Sequence, residues 1–163
     1  MASTTRALTV DDWQAFWPLL RGMGTDDDES TARKRYTELL DDPRWAVIGA
    51  VSDGRLVGYA AVQDYGPHLR IGSMHRIARL HDLYVDAAVR RQGVGTVLLD
   101  AAKAWAAQRT RYLEWQAGQE TSAPFYERLG YRGEPCPQPE YPTFVVDFSQ
   151  PNAPTPPTNQ SQV

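Results

Sequence analysis

Residues Leu80 to Lys103 read LHDLYVDAAVRRQGVGTVLLDAAK, and this stretch decides the fold. Leu80 to Val85 is apolar and β-prone, whereas Thr96 to Lys103 is a good helix former. Between them stand Arg90, Arg91, Gly93 and Gly95. A strand that turns through glycines into a helix leaves backbone N–H groups unpaired at the helix start. With the positive end of the helix dipole, those donors make a site for phosphate. Glycines let a ligand approach the backbone because they carry no Cβ. The stretch therefore reads as a grip for a pyrophosphate. A dinucleotide fold would want a third glycine where Leu98 stands, and a P-loop would end in Gly-Lys-Ser/Thr. Taken alone, Arg90-x-x-Gly93-x-Gly95 is a weak pattern that any strand–glycine–helix junction can produce.

Working outward, Thr4 to Leu8 reads as a short strand. Thr9 and Asp12 mark a helix start. Trp13, Phe16, Trp17 and Leu20 fall at the spacing of one buried face. Pro18 is expected to kink that helix or end it early. An acidic loop, Asp26-Asp27-Asp28-Glu29, precedes a second helix from about Ser30 to Leu40 with Tyr36, Leu39 and Leu40 inward. Asp53-Gly54 between two β-prone runs, Trp45–Val51 and Leu56–Val62, signals a hairpin. After a turn-rich loop over Asp64–Ser73, Arg76 to Val85 reads as a central strand. The helix from Gly93 to about Arg109 places Val94, Val97, Leu98, Ala101 and Trp105 on one side. Tyr112 to Gln116 is a further strand, and Thr121-Ser122-Ala123-Pro124 opens a short helix that closes at Gly130. Tyr131 opens another short strand and Tyr141 to Phe148 the last. The Pro-, Asn- and Gln-rich tail, 149–163, is expected to be disordered. The order of elements implies an α/β (mixed α+β) domain over 1–148 around one mixed sheet.

The chain has 163 residues, 42% hydrophobic and 23% charged, with a net charge of −3 and a pI near 5.6. One folded domain is expected. The acidic balance argues against nucleic acid as a partner. No apolar run approaches the ~20 residues of a membrane span, and the N-terminus lacks the apolar core of a signal peptide. Cys136 is the only cysteine, so no intrachain disulfide or thiolate metal cluster is expected. His68, His75 and His81 lack metal-ligand spacing, and no metal is expected. A cytoplasmic location is the default.

In context the pattern gains specificity. Arg90-x-x-Gly93-x-Gly95 resembles the acyl-CoA signature of the GNAT superfamily of N-acetyltransferases. His81-Asp82-Leu83-Tyr84-Val85 before it resembles that family's fourth strand. Trp115-Gln116 and Phe125-Tyr126-Glu127-Arg128-Leu129-Gly130-Tyr131 after it resemble the fifth strand and the helix beyond. The Asp53-Gly54 hairpin, with Gly58-Tyr59, and the final Thr143–Val146 also fit. The resemblance covers roughly residues 5–148 and implies a mostly antiparallel sheet of about seven strands, splayed between strands 4 and 5, with about four flanking helices.

The resemblance also implies a chemistry. Acetyl-CoA would be the co-substrate. Backbone groups of Leu83, Tyr84 and Val85 would hold its pantetheine arm. Arg90, Arg91, Gln92, Gly93, Val94, Gly95 and Thr96 would hold its pyrophosphate. The family often has an Asn after the fifth strand; here Gln119 and Ser122 stand in that segment as further contacts. An amine, usually primary, attacks the thioester directly, helped by alignment and backbone donors to the oxyanion. Tyr126 aligns with the tyrosine that protonates the leaving thiolate; the alternative is a core aromatic. His81 stands where relatives often carry Glu, and two readings remain open: a base for the amine, or a strand histidine held by structural bonds. As strand neighbours, His81 and Asp82 are expected to face opposite sides, with Asp82 structural or substrate-facing. The acidic loop either draws in a cationic amine or is a solvated helix start. Tyr65, His68 and Tyr141 are further lining candidates. The acceptor is a small-molecule or peptide amine. Many relatives are homodimers, but no residue here fixes an interface. The rival reading is a non-catalytic acyl-CoA-binding or regulatory module on the same fold.

Overall fold

The computed structural model describes residues 2–134 together with Glu140, Pro142, Phe144, Phe148 and Ser149. The chain divides into two compact units, Met1–Gln116 and Ala117–Val163. In the first, β1 (Thr4–Ala7) leads through a 3-10 turn, Val10–Asp12, into α1 (Trp13–Met23) and α2 (Glu29–Asp41). Then come β2 (Trp45–Ser52), β3 (Arg55–Asp64) and β4 (Ile77–Val85), a second 3-10 turn, Ala87–Val89, α3 (Val94–Ala107) and β5 (Tyr112–Glu114). In the second unit the described helix is α4 (Ala123–Arg128).

The strands lie in sequence order in one sheet. β1 to β4 pair antiparallel and β4 pairs parallel with β5, so the sheet is mixed. Among the described residues it has five strands rather than seven. Tyr131–Glu134 is irregular, not a strand. The expected last strand, Tyr141–Phe148, and the tail lie largely outside the described residues, as do Cys136 and Tyr141. The hairpin between β2 and β3 forms as expected, with Asp53 and Gly54 both left-handed, at φ 51° and 74°. Two left-handed residues match the right-handed twist of the strands they join.

One sheet face is covered by α1 and α2. Trp13, Phe16, Leu19, Ala32, Tyr36, Val47, Tyr59 and Ala61 form its buried cluster, closed over by Trp17, Leu20 and Tyr84. The inward stripe of α1 is thus Trp13, Phe16 and Leu19, with Trp17 and Leu20 at its margin, and the helix runs on through Pro18. α3 packs on the sheet with Val94, Leu98, Leu99, Ala102 and Ala106 buried. That stripe is rotated from the expected one, because Gly95 and Ala102 let the helix sit close to the strands. The closest approach is at Gly58 in β3. A Cβ there would lie 2.6 Å from the Tyr84 carbonyl oxygen and 3.2 Å from Leu98 Cδ1.

A backbone atom cannot yield as a flexible side chain does. Gly58→Ala is therefore expected to lower stability by about 1–3 kcal/mol, read as a shifted urea midpoint at unchanged slope. An unchanged midpoint would show that β3 and β4 are not packed this closely.

Candidate active site

β4 carries one residue more than β3 needs. Val62 pairs with Leu80 and Ala61 pairs with Asp82, so His81 is the extra residue of a β-bulge. A bulge breaks the strict alternation of side chains. His81 Nε2 lies 2.9 Å from Gln63 Oε1, and its ring stacks on Trp45 with centroids 4.9 Å apart. Asp82 accepts from the Tyr59 hydroxyl at 3.2 Å. Tyr59, Ala61 and Gln63 share one face of β3, and Trp45 lies on that face opposite Gln63. His81 and Asp82 therefore face the same side, the α1/α2 side, and not opposite sides as strict alternation implies. Tyr65 joins them, with its ring 6.4 Å from His81.

The surroundings shift both groups toward their neutral forms. Partial burial lowers the His81 imidazole below its ordinary value, Arg79 adds to this, and Asp82 opposes it. Burial raises the Asp82 carboxyl, and the hydrogen bond from Tyr59 works against that rise. Tyr59 is itself held in the phenol form by burial and by the charge of Asp82. Arg79 is tied down by Gln116 Oε1 at 3.1 Å and faces Glu114 at 3.7 Å.

The pairing of β4 with β5 stops at Arg79–Glu114. From Leu80 to Val85, β4 has no β5 residue beside it, and that edge includes Leu83, Tyr84 and Val85. Beyond it Arg90 folds back, its Nε donating to the Val85 carbonyl at 3.0 Å and its guanidinium 5.6 Å from the Tyr84 ring. α1 closes on Tyr84 from the other side, where Gly22 leaves no room for a Cβ beneath the phenol. Arg91 and Gly93 are left-handed, at φ 62° and 85°. Left-handed backbone in a non-glycine residue is strained, and such strain collects at ligand clamps. Gly93 is the N-cap of α3, and no side chain caps that end. The first N–H groups of α3, from Val94, Gly95 and Thr96, are thus presented together with the helix dipole. Gln92 is exposed in the loop.

In the second unit, Tyr126 on α4 is half-buried and packs edge-on to Phe125, with centroids 5.0 Å apart. Burial raises its pKa. Ser122 Oγ accepts from the Gly118 N–H at 3.2 Å, and Gln119 is exposed in the turn before α4.

The acidic loop is largely absorbed by local structure. Asp28 caps α2 by accepting from the Thr31 N–H at 2.9 Å, Asp27 pairs with Arg35, and Glu29 accepts from Trp13 Nε1 at 3.0 Å. His68 closes a small bridge with Gly72, and His75 stacks on Tyr112. Neither is among the contacts of His81. Trp45, Tyr59 and Gln63 were not singled out from the sequence. The i, i+4 spacing of Tyr59 and Gln63 in one strand was readable, but only the bulge turns His81 toward Gln63 and Trp45 on the same side as Asp82 and Tyr59. Among the described residues no group of three or more His, Cys, Asp or Glu is placed to hold a metal ion. None of the described helices is long and apolar enough to cross a membrane.

A family model described as "Acetyltransferase (GNAT) family" matches residues 8–131. Among solved structures, the chain is similar to a ribosomal-protein-alanine N-acetyltransferase from Brucella melitensis biovar Abortus 2308. The identity is 25% and the TM-score 0.66, over 90% of this chain and 100% of that one. It is also similar to a glucosamine-6-phosphate N-acetyltransferase from Arabidopsis thaliana, at 16% identity and TM-score 0.70, over 86% and 99% of the two chains. A third is an aminoglycoside N-acetyltransferase in complex with CoA, at 17% identity and TM-score 0.74, over 90% and 95%. At the identities of the last two, the likeness speaks for the fold alone. Among curated proteins nothing matches the chain.

The lowered basicity of His81 is directly measurable. Its NMR titration midpoint should lie below the ordinary ~6.5 of a histidine. Arg79→Ala should move it upward by removing a like charge. A midpoint at or above the ordinary value would contradict the described surroundings of the ring.

Proposed function

Because this chain belongs to the acetyltransferase (GNAT) family, we propose that it moves an acetyl group from acetyl-CoA to an amine of a small molecule or peptide. The amine attacks the thioester directly in a ternary complex. The observation that carries this reading is the placement of His81 and Asp82 on one face, where β4 leaves β5. There the β4 edge at Leu83, Tyr84 and Val85, beyond the last β5 pair, suits the backbone of a pantetheine arm, with the Val85 carbonyl already accepting from Arg90. The strained Arg90–Thr96 turn and the uncapped start of α3 suit a pyrophosphate.

The electrostatics support the proposed roles. A base must be neutral before it acts, and the lowered His81 imidazole meets that need at neutral pH. An acid must be protonated, and burial keeps Tyr126 so. Two groups whose pKa values are driven apart suit base and acid roles. Asp82 on the same face draws in the cationic amine. His81 takes a proton from the ammonium, and the free amine then forms the C–N bond. The C–S bond breaks, Tyr126 protonates the departing thiolate, and the second proton shed by the nitrogen as the amide forms returns Tyr126 to the phenol. Gln119 and Ser122 are proposed as further contacts to the co-substrate. The similar structures are named for peptide, amino-sugar and aminoglycoside acceptors, so the acceptor is kept at the class of amine.

Two measurements test the reading in order. Calorimetry with acetyl-CoA should show binding, and its absence would remove the proposal. Thiol release should then be followed with a polyamine, an aminoglycoside, an amino-sugar phosphate and a peptide with a free N-terminal alanine. Release with at least one is expected; binding without release from any would favour a non-catalytic acyl-CoA module. Tyr126→Phe should lower kcat by about 100-fold while leaving acetyl-CoA affinity unchanged; unaltered kcat rules out the acid role. Gly93→Val imposes a branched side chain on a left-handed residue and should weaken acetyl-CoA binding at least about tenfold, close to 1.4 kcal/mol. Undiminished affinity would move the pyrophosphate elsewhere.

A further inference from the structure

His81 is held in one orientation by more than its strand. Trp45 lies nearly parallel to the ring, at 18° between planes and 4.9 Å between centroids. Tyr65 borders it at 6.4 Å and 53°. Gln63 Oε1 sits 2.9 Å from Nε2. A carboxamide oxygen can only accept a hydrogen bond, so Nε2 must carry the hydrogen. A neutral imidazole has one N–H, which leaves its lone pair on Nδ1. We propose that Gln63 is a positioning residue for acetyl transfer: its amide oxygen fixes the Nε2–H tautomer of His81 and so makes Nδ1 the proton acceptor. This rests on the reading of His81 as the base.

The proton balance is simple. The acceptor ammonium gives one proton to Nδ1, and His81 becomes an imidazolium with both nitrogens protonated. Its Nε2–H stays on Gln63 throughout, so no ring flip is needed between turnovers. An amide is also the right acceptor for a base that must release its proton again. A carboxylate at the same position would stabilise the imidazolium and slow that release. The other groups beside the ring are Arg79 and Asp82 on β4 and Tyr65 just beyond β3, with Tyr59 on β3 turned to Asp82 and Glu114 on β5 turned to Arg79. Gln63 thus meets the ring with a neutral, purely accepting oxygen among charged and hydroxyl groups.

The test combines a spectroscopic readout with kinetics on the full-length protein. Long-range 1H–15N correlation spectra should show the Nε2–H tautomer for His81 in the native chain, and a mixture or the Nδ1–H form in Gln63→Leu. With the best amine of the panel above, Gln63→Leu should lower kcat about tenfold at unchanged KM for acetyl-CoA. Gln63→Glu, closer in shape and so a safeguard against misfolding, should raise the acid limb of the kcat–pH profile by about one unit. An Nδ1–H tautomer in the native chain overturns the proposal. So does a Gln63→Leu protein that keeps both tautomer and kcat, or a Gln63→Glu protein with an unmoved acid limb. His81→Gln measured alongside separates the two readings. If it retains full kcat, His81 is not the base; if it loses kcat while the Gln63 variants leave the acid limb and kcat unmoved, the positioning role alone fails.

Discussion

The single extra residue in β4 governs the arrangement of this site. Without the bulge at His81, alternation would send His81 and Asp82 to opposite faces of the sheet. With it, both face the α1/α2 side, where Trp45, Tyr59 and Gln63 from two neighbouring strands receive them. Bulges also increase local twist and weaken pairing. β4 keeps its β5 neighbour only as far as Arg79, two residues before the bulge. One backbone irregularity thus coincides with two features: a pair of titratable groups on one face, and a stretch of strand edge with no β5 residue beside it.

The rest of the first unit holds that irregularity in place. Gly58 allows β3 to lie against the Tyr84 backbone just past the bulge, and Leu98 of α3 fills the space behind it. On the opposite face, Phe16 meets Tyr59 edge-on at 4.9 Å, and Tyr59 in turn supplies the hydroxyl that holds Asp82. The aromatic core under α1 is therefore continuous with the candidate site. Burial does the electrostatic tuning: it lowers His81 and raises Asp82, as expected when charged forms lose water. Arg90, tied to the Val85 carbonyl and laid beside Tyr84, carries this rigid frame on to the strained turn before α3.

Much of this was legible in the sequence. Asp53-Gly54 announced the hairpin, Gly93 and Gly95 the turn into α3, and Thr9 with Asp12 the start of the first helical segment. These are local signals in which residue chemistry and backbone angle correspond directly. The bulge was not legible, because no residue type marks it: it arises from the register between two strands. The relation of His81 to Asp82 was misread for that reason, and Gln63 and Trp45 went unnoticed with it. The rotated stripe of α3 was missed for a different reason: Gly95 and Ala102 are small residues whose value is close approach, not hydrophobic weight. The acidic run Asp26–Glu29 shows the converse. Its charges left two readings, a cation site or a solvated helix start, and Asp27, Asp28 and Glu29 are engaged in an ion pair, a helix cap and a tryptophan hydrogen bond.

The central claim is that the amine meets the thioester on the face shared by His81 and Asp82. A crystal structure of the ternary dead-end complex with CoA and the best amine from the panel tests this most directly. The account predicts the CoA sulfur beside the Leu83–Val85 edge and the amine nitrogen within hydrogen-bond reach of His81 Nδ1, directly or through one water. An amine bound on the α3 side of the sheet, or a pyrophosphate away from the Arg91–Thr96 turn, would contradict it.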